Sequence, residues 1–198
     1  MAISAADVKA LRERTGAGMM DCKRALVEAG GDSDKAVTIL REKGVAAASK
    51  KGNREAKEGV IHTYIHPGSR IATMVELNCE TDFVARNDMF QSLARDIAMQ
   101  VAATKPQAVG REQMSQGLVD EESEIYRNQA KNEGKPDNII DRIIQGRLEK
   151  FYQENCLLEQ PFIRDTDKTV KDLITDAVGT LGENIQIRRF IRYELGGE

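Results

Sequence analysis

The spacing of apolar residues changes period along this chain, and each change marks an element. Near the start, Val8 and Leu11 lie one helical turn apart. Ser4 stands ahead of them as an N-cap, and Thr15-Gly16 closes the turn series. Met19, Cys22, Leu26 and Ala29 form one stripe of a second helix. Gly30-Gly31 stops it, because glycine accepts the left-handed conformation after a helix. Asp32 can cap a third helix, with Ala36, Ile39 and Leu40 facing inward and Gly44 as its stop. Three such helices make a compact bundle, marginal on its own at about 45 residues.

The period then falls to two. In 59–66, Ile61, Thr63 and Ile65 share one face, and Val60, His62, Tyr64 and His66 the other. Pro67-Gly68-Ser69 is a turn, after which Ile71, Thr73, Val75 and Leu77 alternate with their neighbours, so the segment predicts a hairpin. Helical spacing returns from about Met89 to Ala103, through Phe90, Leu93, Ala94, Ile97 and Val101, with Lys105-Pro106 as the end. A helix over roughly 118–133 puts Asp120, Glu121, Glu122 and Glu124 first and Arg127 and Lys131 last, as the helix dipole prefers. Pro136 opens a longer one, with Ile140, Ile143, Ile144, Leu148, Phe151 and Tyr152 on one side. The segment 160–167 reads as a loop. Val170, Leu173, Ile174, Ala177, Val178 and Leu181 form another amphipathic helix, and a last strand covers about 185–195. Three strands split by helices predict an α+β fold, with an antiparallel three-stranded sheet and helices on one face. The expected division is a three-helix domain over 1–45, a linker over 46–58 and an α+β core over 59–198. The linker AAASKKGNREAKE reads equally as helix or as flexible chain.

Charge and composition then narrow the classes. With 40% apolar and 31% charged residues among 198, the chain suits a globular protein whose core rests on aliphatic side chains, since Trp is absent. No apolar run approaches the roughly 18 residues of a membrane span, and MAISAADVKALRER lacks the apolar stretch of a secretory signal. Cys22, Cys79 and Cys156 are odd in number and far apart, which fits a reducing, cytoplasmic setting and buried thiols. The net charge of −3 hides an uneven distribution. Arg41, Lys43, Lys50, Lys51, Arg54 and Lys57 face only Glu42 and Glu55, so 41–57 carries +4 and the remainder −7. A nucleic-acid binder built on that segment is one reading. The missing aromatics and a pI near 5.6 weigh against it.

The chemistry of an enzyme is not legible. His62 and His66 on one strand would lie about 13 Å apart, too far to share a zinc ion. There is no C-x-x-C pair, no H-E-x-x-H helix and no phosphate-binding loop. Gly16-Ala17-Gly18 joins two helices and so is no dinucleotide fingerprint. No metal, cofactor or catalytic residue is therefore expected.

Two patterns point to recognition instead. Thr81-Asp82-Phe83-Val84 stands at a strand-to-helix corner, with Thr81 as N-cap and Asp82 in the first turn. Phe83 there reads either as core or as an exposed contact. Met19 and Met20 are about 100° apart on a helix, so one is expected in the bundle core and the other outside. Arg12 lies near the same end.

In context these residues carry a resemblance. VELNCETDFVAR (75–86) and LRERTGAGMMDCKRAL (11–26) resemble the two signature segments of the elongation factor Ts family, and ENIQIRRFIRYELG (183–196) is similar to its closing segment. The resemblance covers essentially the whole chain. It implies a translation elongation factor, not an enzyme, that exchanges guanine nucleotide on the GTPase elongation factor Tu in a bacterial-type cytoplasm. It also implies that the N-terminal module is ubiquitin-associated-like. Taken alone, that module would also suit a ubiquitin-type adaptor. By the same resemblance, Arg12, Met19, Met20 and Lys23 contact the GTPase domain. Thr81, Asp82, Phe83 and Val84 wedge into it and disturb its magnesium site. The chain looks like a short form, without a second core half or a protruding helical hairpin. Short forms of this kind imply a homodimer, with no direct nucleic-acid or membrane partner.

Overall fold

The computed structural model describes residues 3–197, so the outermost residues of the expected first and last domains lie outside it. Helix α1 (Ala5–Thr15) begins at a reciprocal cap: the Ser4 hydroxyl accepts from the Asp7 amide, and Asp7 accepts from the Ser4 amide. It ends at Gly16, whose φ of 69° no β-carbon-bearing residue adopts cheaply. Helix α2 (Met19–Glu28) and helix α3 (Ser33–Lys51) complete the bundle, with Asp32 capping α3 through the amides of Asp34 and Lys35. Val8, Leu11, Cys22, Ala25, Leu26 and Ala36 form its buried core.

Two expectations about the bundle are corrected. Gly44 does not stop the third helix, which runs on to Lys51 and thus takes in the first half of the expected linker. An interior glycine costs a helix about 1 kcal/mol relative to alanine. It breaks nothing by itself, and the alanines after it are strong helix formers. Nor does Met19 join the core. Ala17 packs against the cluster, and Met19, in the first turn of α2, is left 45% exposed.

Strands β1 (Glu58–Ile65) and β2 (Ile71–Cys79) form the expected hairpin, followed by a one-turn helix α4 (Asp82–Ala85) and helix α5 (Asp88–Thr104). Helices α6 (Gln116–Asn132) and α7 (Asp137–Asn155) fold back on each other around Ala130, Ile140 and Ile144. The two helices expected on either side of Gly134 are thus present and pack as a hairpin. Arg111 is gripped by Glu149 of α7 and by Glu159 and lies over the Tyr152 ring, which ties the connection before α6 to the end of α7.

The expected loop over 160–167 is also corrected. It holds two short antiparallel strands, β3 (Pro161–Phe162) and β4 (Asp165–Thr169), with Phe162 opposite Asp165. The β4 residues DTDKT are all polar, so they carry no period-two signal. The pairing is set by partners distant in sequence instead. Buried Gln100 donates to the Pro161 carbonyl at 3.1 Å and accepts from the Ile163 amide at 2.9 Å.

Helix α8 (Val170–Leu181) leads into β5 (Gln186–Glu194), and the main sheet is antiparallel in the order β1-β2-β5. Thr73 of β2 donates to the Ala98 carbonyl and Arg192 of β5 to that of Ala102, which sets α5 against one face. The alternate positions Ile65, Met74, Ile191 and Tyr193 remain exposed.

The chain packs as two compact units. One holds the residues up to Ile61 with Glu76–Ala94 and Asp172–Gln186. The other holds His62–Val75, Arg95–Lys171 and the chain from Ile187. Within the first, the bundle is joined to α8: Arg41 pairs with Asp172 at 3.0 Å. A β-carbon on Gly179 would come within 3.3 Å of the Gly44 α-carbon. Both recognition segments read from the sequence belong to this unit.

Candidate functional site: an exposed aromatic on a braced corner

Strand β2 delivers the chain to Cys79, and the next residues turn sharply. Thr81 is extended, with φ −129° and ψ 153°, as an N-cap requires, and its hydroxyl accepts from the Val84 amide at 3.4 Å. Asp82 occupies the first turn of α4 and pairs with Arg86 one turn on, at 2.9 Å. Ala85 is buried and anchors the turn, and Val84 is half-buried. Phe83 is 87% exposed. Of the two readings of this ring, the core one is therefore excluded in the isolated chain.

The corner is held from below by a segment that sequence reasoning did not single out for a role. The Glu183 carboxylate accepts from the amides of Glu80 and Thr81, both at 3.0 Å, and from the Thr81 hydroxyl at 2.6 Å. Glu80 in turn accepts from the Asn184 amide at 2.7 Å and from Arg54 at 3.4 Å. The buried Asn184 side chain donates to the Arg54 carbonyl at 2.7 Å. Glu183 and Asn184 open the segment 183–196 quoted above for its resemblance, which assigned them no role. Contacts 102 to 104 residues apart leave no periodic trace in one sequence.

Arg12, in the last turn of α1, and Met19, Met20 and Lys23, in the first half of α2, are all exposed, with Met20 at 62%. Nothing in the bundle consumes the two methionines, and exposed Met is an adaptable contact side chain.

The thiols and the histidine whose titration is shifted are poorly suited to nucleophilic work. Burial, followed by the Glu183 charge, pushes the Cys79 thiol up to about 11. Burial also pushes the Cys156 thiol up to about 11. His62 is lowered by burial and then by the charge of Arg95. Among the described residues, no group of three or more His, Cys, Asp and Glu is placed to hold a metal ion. No helix among them is long and apolar enough to cross a membrane.

The arrangement defines a class of fold: an α+β protein that presents an exposed aromatic ring on a hydrogen-bonded turn. Comparison with known proteins narrows the class. The family model described as Elongation factor TS matches residues 32–197. Proteins named elongation factor Ts are similar along nearly the full chain. That of Desulforamulus reducens is 60% identical over 194 residues, covering 98% of this chain and 89% of its own. That of Carboxydothermus hydrogenoformans is 63% identical over 189 residues, covering 96% and 87%. That of Moorella thermoacetica is 59% identical over 194 residues, covering 98% and 96%. The chain belongs to the elongation factor Ts family.

Proposed function

We propose that this protein is a translation elongation factor that binds elongation factor Tu in its GDP-bound form and promotes GDP release by disturbing the Mg²⁺ and phosphate site. The observation that carries the reading is the Phe83 ring, 87% exposed on a turn fixed by hydrogen bonds. Large aromatics are ordinarily buried, and a rigid exposed one loses little entropy when it enters a partner's pocket. Phe83 is the wedge. Asp82 brings negative charge toward the magnesium site, and Thr81 and Val84 shape the turn. Arg12, Met19, Met20 and Lys23 make the second contact, on the GTPase domain.

The mechanism needs no covalent step, no cofactor and no metal of its own. A GTPase holds its nucleotide largely through the phosphates, the phosphate loop and Mg²⁺. A protein that binds the emptied, distorted pocket more tightly weakens the nucleotide by the same factor that nucleotide weakens it. The reading keeps a partner-binding bundle over 1–45, a basic connecting segment over 46–58 and a core from 59 onward, in a bacterial-type cytoplasm. Arg41, Lys43, Arg54 and Lys57 of the basic segment are engaged with carboxylates, which weakens the case for nucleic acid.

A homodimer is part of the same reading. Ile65, Met74, Ile191 and Tyr193 leave a sheet face uncovered, and a second copy of that face is its self-complementary partner.

The test is the release of labelled GDP from elongation factor Tu. This protein should accelerate it at substoichiometric concentration, and an unchanged release rate overturns the proposal.

A further inference from the structure

The corner that presents Phe83 makes few apolar contacts of its own. Its helix is a single turn, its N-cap bond is long at 3.4 Å, and its aromatic ring touches little. Such a turn on its own would fray, since one hydrogen-bonded turn does not offset the entropy of ordering it. The Glu183 carboxylate supplies what the turn lacks. One of its oxygens, Oε2, accepts from the Glu80 and Thr81 amides together; the other, Oε1, accepts from the Thr81 hydroxyl. With its proton committed to Glu183, the Thr81 oxygen turns its lone pairs to the Val84 amide and caps α4. The next residue, Asn184, locks the other side by donating to Glu80 and to the Arg54 carbonyl.

We propose that Glu183 is a positioning residue for nucleotide exchange: its carboxylate pre-organises the Glu80–Thr81 corner so that Phe83 is held ready for the partner GTPase. The inference rests on the wedge reading of Phe83. Glu183 itself need touch neither the partner nor the nucleotide. Its contribution is made before binding, by removing the ordering cost that a loose corner would add to every encounter. Carboxylate is the chemistry required, because three donors converge on the site and only an acceptor with two oxygens receives them all. An amide in its place offers one accepting oxygen and an NH₂ that has to use the Thr81 hydroxyl as acceptor.

The experiment is a double-mutant cycle in the full-length chain, with Phe83→Ala, Glu183→Ala and the pair, and Glu183→Gln as the conservative variant. Three readouts are taken on each preparation: thermal melting, GDP release as a function of exchange-factor concentration, and hydrogen exchange at the amides of Glu80 and Thr81. Glu183→Ala should raise the half-saturating concentration about 10-fold, the equivalent of ordering about one residue. It should also deprotect both amides. In the Phe83→Ala background it should change exchange by less than about 2-fold, because the corner then has no wedge to present. Its effect on melting should be the same in both backgrounds. Glu183→Gln should fall between wild type and Glu183→Ala, and it keeps the proposal testable if the alanine variant fails to fold. An equal exchange loss with and without Phe83 would make Glu183 a stability residue only and overturn the inference. So would wild-type exchange by Glu183→Ala when Phe83→Ala is impaired. If Phe83→Ala itself exchanges at the wild-type rate, the wedge reading fails first, and this inference with it.

Discussion

At the scale of single residues, exposure decides what a substitution should do. Phe83→Ala should leave the melting temperature nearly unchanged, because an 87% exposed ring has little burial to lose. Its affinity for elongation factor Tu should fall about 30-fold or more, the usual scale for truncating an aromatic hot spot. An early-melting variant that exchanges normally once folded would contradict both halves. Asp82→Ala should also slow exchange, and less so once a chelator has removed Mg²⁺. Met19→Ala and Met20→Ala should now behave alike. With both side chains substantially exposed, each should weaken binding while melting stays within about 0.5 kcal/mol of wild type. A several-kilocalorie stability loss for Met19→Ala would return it to the core.

At the scale of elements, the close approach of α3 and α8 is the most specific feature. A β-carbon on Gly44 would meet nothing nearer than the Thr175 carbonyl at 4.0 Å, an ordinary contact. Gly44→Ala should therefore gain helix propensity, up to about 1 kcal/mol, and raise the melting temperature. On Gly179 the same carbon would lie 3.3 Å from the Gly44 backbone. A branched side chain there has no room, and Gly179→Val should cost about 1–3 kcal/mol. The opposite ranking in a melting series would show that the helices do not meet at these glycines.

The helix caps set a pH dependence. The Asp7 carboxyl is held below its ordinary range by the Ser4 hydroxyl and amide, and that of Asp32 by the amide of Lys35. A depressed carboxyl stabilises the fold fully above its unfolded value, here 3.8, and ceases to as pH falls through its folded value. Helicity should thus be flat above about pH 4 and decline below it. The variant pair Asp7→Asn and Asp32→Asn should show a shallower acid decline. Superimposable acid profiles would remove the caps from the account.

For the whole molecule, the prediction concerns assembly. Light scattering at micromolar concentration should report about twice 22.0 kDa. A charge placed on the uncovered sheet face, as in Tyr193→Asp or Met74→Asp, should shift the species toward monomer without lowering helicity. Those residues are exposed within one chain and would be desolvated only in a pair. A wild-type monomer that drives full exchange would show that pairing is not needed.

Much of this protein was determined by local sequence. The α1 and α2 boundaries, the β1–β2 hairpin, α5, the α6–α7 pair, α8 and β5 all follow from period, caps and turn residues, which act within a few positions of one another. The signature around Phe83 was legible for the same reason, since cap, acid and aromatic are contiguous. Tertiary structure alone decided what depends on partners far along the chain. Gly44, a helix stop by composition, lies inside α3 opposite Gly179. The polar run of β4 pairs with β3 where Gln100 holds the segment. Met19, apolar and on the core stripe by spacing, is left outside, while Ala17 packs against the core cluster. Phe83 was undecided between core and surface until the fold left it 87% exposed. Glu183 acquired its place beneath the corner only when the chain returned more than a hundred residues later, because hydrogen bonds act through space and one sequence records only order.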